Sequence, residues 1–97
     1  MIIVWGKVEI QPEHLDAAKI LSAEHVERSL AETGCLHHSA QVSIDKPSTI
    51  VFYEEWQDMA ALQVHFKVPA SIQFVESIAK IAIVPPTLKI FDAEQLQ

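Results

Sequence analysis

Five histidines, His14, His25, His37, His38 and His65, are the residues of this chain best suited to proton chemistry. Imidazole titrates near neutrality, and its neutral form offers a lone pair to a proton or a metal. His65, His38 and His25 are the candidate catalytic residues. Glu54 and Trp56 are the candidate substrate-binding residues beside them. His37 and His38 are adjacent, and adjacent side chains on a strand point to opposite faces, so this pair cannot hold one zinc ion. No C-x-x-C, H-E-x-x-H, P-loop or glycine-rich dinucleotide fingerprint occurs. The expectation is therefore no metal and no cofactor. Cys35, the one cysteine, is read as inert.

The elements that must position these groups follow from pattern. Ile2 to Ile10 is rich in β-branched residues and reads as a strand. Pro12, with Glu13 and Asp16 in its first turn, opens a helix that Thr33-Gly34 closes. Leu15, Ala18, Ser22, Val26 and Leu30 make its inward stripe, with His25 on the flank. Cys35 to Asp45 alternates, placing Leu36, His38, Ala40 and Val42 on one face. After the turn Asp45-Lys46-Pro47-Ser48, Thr49 to Trp56 forms an antiparallel partner strand. Asp58 caps a helix over Met59 to Phe66, Pro69 restarts a helix through Ile78, and Ile81 to Asp92 is a strand broken by Pro85-Pro86.

The order βαββαβ predicts an α+β, ferredoxin-like fold over 1–97 as one domain, a four-stranded antiparallel sheet with its helices on one face. If even positions face the helices, the other face carries Ile3, Trp5, Val51 and Tyr53. A sheet apolar on both faces needs a cover on both, and a second copy of the chain supplies it. His25, His38, Glu54 and His65 would then line one cavity between sheet and helices, with Trp56 as its apolar wall.

Composition narrows the partners. A net charge of −6 without any basic run repels phosphate backbones, so nucleic acid is not expected. No apolar run exceeds five residues, so no membrane span is expected. Met1-Ile-Ile-Val-Trp5 lacks the basic start of a signal peptide, and one unpaired cysteine suits a reducing cytoplasm.

Thr33-Gly34-Cys35-Leu36, Ile50-Val-Phe-Tyr-Glu54-Glu-Trp56-Gln-Asp58, and Ala61-Leu62-Gln-Val-His65 with Pro69 four residues later together resemble the antibiotic biosynthesis monooxygenase domain. The resemblance covers nearly the whole chain. It implies the ferredoxin-like unit paired as a dimeric α+β barrel, and a family position for His65. It also implies a choice among cofactor-independent oxygenation of phenols or quinols, haem degradation, and isomerisation of a small metabolite. Gly6 stands where the haem-degrading branch has Asn, and His65 where it has Trp, which disfavours haem. Ala70 stands where many relatives have a His after the proline.

The expected function is oxygenation of a small phenolic or quinol-like aromatic with O2. A neutral histidine removes the phenolic proton and the anion reduces O2 in a dry pocket. The alternatives are an isomerase or other histidine-dependent proton-transfer enzyme, or a non-catalytic dimer that binds a hydrophobic ligand.

Overall fold

The computed structural model describes residues 1–97. Strand β1 (Ile2–Glu9) leads through a 3-10 turn (Pro12–His14) into helix α1 (Leu15–Leu30). Strands β2 (Cys35–Val42) and β3 (Thr49–Trp56) follow, then helices α2 (Met59–Lys67) and α3 (Pro69–Ile81), and finally strand β4 (Thr87–Asp92). The sheet runs β2-β3-β1-β4 with every pair antiparallel. This is the ferredoxin-like α+β arrangement that the pattern predicts.

Alternation decides which side of the sheet is covered. Ile2, Val4 and Val8 of β1 and Ile50, Phe52, Glu54 and Trp56 of β3 are buried, whereas Ile3, Trp5, Val51 and Tyr53 are only half-buried. Two apolar clusters fill the space under the helices. Val8, Ile10, Ala18, Ile50, Phe52, Phe74 and Ile78 form one, and Ile2, Val4, Trp56 and Leu62 the other. The site described below lies where they meet the histidines.

Four local expectations are corrected. Pro12 starts a 3-10 turn and α1 proper begins at Leu15. The inward stripe of α1 is Ala18, Ser22, His25 and Ser29, while Leu30 is 51% exposed. Small side chains let the helix lie close to the sheet, and His25 rather than Val26 fills the gap. Ser29 is tolerated there because its hydroxyl donates to the His25 carbonyl at 2.7 Å.

The third correction is in β2. Its register shifts between Cys35 and His37, so Cys35 pairs with Trp56 and His38 with Glu54. A bulge at this point sends Leu36 out to 55% exposure and brings Cys35 to the helix side with His38. The fourth concerns the last strand, which starts only at Thr87. Two prolines without N–H groups leave an isolated bridge from Ala82 to Ile10 upstream.

Two further devices set α2 against the sheet. Asp58 caps it, its Oδ1 accepting from the Ala61 amide at 2.9 Å, as expected from sequence. Gly34 adopts φ +85°, and a Cβ there would lie 2.6 Å from the Ala61 Cβ, so glycine is required both for the turn and for close packing of α2. Val68 is extended (φ −63°, ψ 124°) because Pro69 follows it, which separates α2 from α3.

Candidate active site

Six side chains from five places in the fold meet beneath the helices. His25 comes from α1, Glu32 from the turn after it, His38 from β2, Glu54 and Trp56 from β3, and His65 from α2. One ring nitrogen from each of His25, His38 and His65 lies within 4.8 Å of the other two, and all three residues are buried. Glu54 Oε1 is 3.5 Å from His38 Nε2 and 4.0 Å from His65 Nε2. The Trp56 indole N–H donates to the same oxygen at 2.9 Å.

His65 is held from behind. Its Nδ1 lies 3.1 and 3.0 Å from Glu32 Oε1 and Oε2. A carboxylate only accepts, so this contact assigns the proton to Nδ1 and leaves the Nε2 lone pair on the side of Glu54. Trp56 packs on the His65 ring with centroids 4.6 Å apart, and Phe74 stacks flat on His25 at 4.1 Å and 4°. These aromatic contacts fix ring orientation.

Burial sets the electrostatics. It pushes His25 down to about 4, helped by the charges of His65 and Arg28. It pushes His38 down to about 3, helped by His25, His65 and His37. Glu54 is raised, first by burial; the Trp56 indole and His65 oppose the rise, and Glu32 adds to it. The Cys35 thiol is also raised by burial, then by Glu32 and Glu54, which disfavours the reactive thiolate. His25 Nδ1 and both His38 nitrogens are buried without a hydrogen-bond partner. Each such orphan typically costs about 1–3 kcal/mol, an expense that calls for a reason.

A cavity of about 470 Å³ opens beside this cluster. His25, Glu54 and His65 line it together with Phe52, Phe74 and Leu88. His38 lines a separate hollow of about 380 Å³ between α1 and β2. Trp56 is fully buried and lines neither; it reaches the site through Glu54 and His65 rather than as a wall. His37 is exposed on the opposite face, 5.7 Å from the Tyr53 ring, and His14 is exposed in the 3-10 turn.

Sequence reasoning brought His25, His38, Glu54 and His65 together and missed Glu32 and Phe74. Glu32 adjoins the Thr33-Gly34 helix stop, so nothing in helical periodicity marks it. Phe74 looks like an ordinary core residue of α3. Only tertiary contact gives either one a place in the site.

The family model for antibiotic biosynthesis monooxygenase matches residues 1–77. This chain belongs to the antibiotic biosynthesis monooxygenase family. A solved structure described as an antibiotic biosynthesis monooxygenase is similar to this family member at 32% identity and TM-score 0.91, over 98% of this chain and 100% of that one. A conserved protein from Methanosarcina mazei Go1 shares the fold at 20% identity and TM-score 0.91, over 96% of this chain and 92% of that one. An uncharacterized protein of Synechocystis sp. is 29% identical over 96 residues. The match takes in 99% of this chain and 65% of that relative's length. The matched residues end within α3, and β4 lies beyond them. No helix of this family member is long and apolar enough to cross a membrane.

Proposed function

We propose that the chain is a monooxygenase that oxidises a small phenolic or quinol-like aromatic with O2, with His65 as the base. The observation that carries this reading is the His65 environment. Glu32 occupies Nδ1, and Nε2 is left free on the wall of an aromatic-lined cavity. His65 Nε2 takes the phenolic proton, and the phenolate supplies the electrons that reduce O2. One oxygen atom enters the ring and the other leaves as water, so a hydroquinone and O2 give a hydroxyquinone and water. Burial lowers the basicity of His25, so the imidazole stacked on Phe74 stays uncharged and favours an aromatic ring beside it. Phe52, Phe74 and Leu88 supply its apolar contacts. Trp56 acts as a positioning residue for Glu54 and His65.

The chain assembles as a homodimer through Ile3, Trp5, Val51 and Tyr53 in this reading, and works in the reducing cytoplasm. Oxygen uptake on a panel of hydroquinones and anthrones, without added flavin or metal, tests the reaction. One O2 consumed per product formed supports it. No uptake across the panel overturns it.

One observation favours a second reading. The three imidazole rings lie with centroids 5.2 to 5.7 Å apart, close enough to shuttle a proton across a substrate. That arrangement suits an isomerase, which would exchange substrate hydrogen with deuterated solvent without consuming O2.

A further inference from the structure

We propose that His25, His38 and His65, with Glu54 as a fourth donor, form a binding site for a late first-row divalent cation, with Zn²⁺ the reference case. The histidines come from three different elements and converge to within 4.8 Å, although no sequence spacing announces them. In a tetrahedral zinc site with bonds of about 2.0–2.1 Å, ligand atoms stand roughly 3.3 Å apart. Glu54 Oε1 is already 3.5 Å from His38 Nε2. The remaining separations, up to 4.8 Å between histidine nitrogens and 4.0 Å from Glu54 Oε1 to His65 Nε2, would close by side-chain movement on binding.

The unpartnered nitrogens supply the second, independent observation. His25 is 5% exposed and His38 3% exposed, and between them three ring nitrogens make no hydrogen bond, although Glu54 Oε1 stands 3.5 Å from one of them. A buried cluster built for packing alone would have had its nitrogens satisfied or replaced by carbon. The outer partners follow the pattern of metal sites as well. Glu32 grips the far nitrogen of His65, and the Trp56 N–H grips Glu54. Three imidazoles and a carboxylate suit zinc, iron, nickel or copper rather than calcium or magnesium.

The site shares its side chains with the proposed base and stands on their geometry, not on the reaction. Metal occupancy and the base role are mutually exclusive, because both use the His65 Nε2 lone pair. Zn²⁺ is therefore expected to inhibit a metal-free oxygenase.

The test uses the chain without any added histidine tag, dialysed against a chelator, titrated with Zn²⁺ by calorimetry and with Co²⁺ by visible absorption. The expected result is one ion per chain, with a tetrahedral-type Co²⁺ spectrum. His38→Ala and His25→Ala should weaken binding by roughly 10²-fold or more, and Glu32→Gln by about 10–100-fold. His14→Ala and His37→Ala should leave it unchanged. Circular dichroism checks each fold, and Glu32→Gln, at the edge of the site, keeps the test decisive if a buried histidine variant does not fold. Less than one ion per chain overturns the proposal, as does unaltered affinity in a folded His38→Ala or in Glu32→Gln. Oxygen uptake is measured separately. Binding with inhibition supports both readings, and binding with metal-dependent uptake keeps the site but discards the metal-free base. Uptake without binding discards the site alone, and neither uptake nor binding discards both.

Discussion

His65 Nδ1 stands 3.0 Å from Glu32 Oε2, joining α2 to the turn that follows α1 across 33 residues of sequence. The contact fixes both the ring's orientation and its proton. If His65 is the general base, His65→Ala should lower turnover by roughly 10²-fold or more. Glu32→Gln should lower kcat by about 10-fold or more with a smaller change in KM, because it misorients the base without emptying the cavity. Steady-state oxygen uptake separates the two effects. Unchanged kcat in a folded His65→Ala would remove the base role from His65.

Trp56→Phe removes the N–H that Glu54 Oε1 accepts and keeps most of the buried ring. The carboxyl is then left buried with its strongest partner gone, so stability should fall by about 1–3 kcal/mol. Urea unfolding measures this. A loss below the error of the method would mean that water or a rotated Glu54 replaces the indole.

Acid should destabilise the metal-free chain before ordinary carboxylate titration begins. His25 and His38 have folded-state values of about 4 and about 3, below the 6.5 of an unfolded histidine. The unfolded chain therefore binds protons that the folded chain refuses. Stability is fully present above about pH 6.5 and is lost as pH falls toward 4, at up to about 1.4 kcal/mol per pH unit for each ring. Glu54 is raised and contributes with the opposite sign at its own titration. Urea midpoints at pH 7, 6 and 5 in the presence of a chelator check the slope. A flat profile would show that the folded cluster accepts protons.

Assembly is tested on the uncovered side of the sheet. Sedimentation at micromolar concentration should give about twice the 10.9 kDa chain mass. Trp5→Glu places a charge in the middle of β1, opposite Tyr53 and Lys89, and should yield a folded monomer. A wild-type monomer at that concentration would leave Ile3, Trp5, Val51 and Tyr53 without a cover and remove the argument for a dimer.

The order of elements, the antiparallel sheet and its helix-facing parity were all legible in the sequence. They depend on local quantities, namely alternation, caps and prolines, which Asp58, Pro69 and the even positions of β1 and β3 express directly. His25, His38, Glu54 and His65 were also legible as one group, the last three on inward positions of their elements and His25 on the flank of the stripe of α1. Tertiary structure alone decided the rest. The bulge that expels Leu36 depends on how β2 meets β3, and the rotation of α1 that centres His25 depends on the room left by Ala18, Ser22 and Ser29 against the sheet. Glu32 enters the site because Gly34 allows α2 to pack closely on the turn that follows α1. The distances that turn three separate histidines into a cluster, and that leave their nitrogens unpartnered, arise from the packing of α1 and α2 on the sheet. One-dimensional spacing carries no record of that packing.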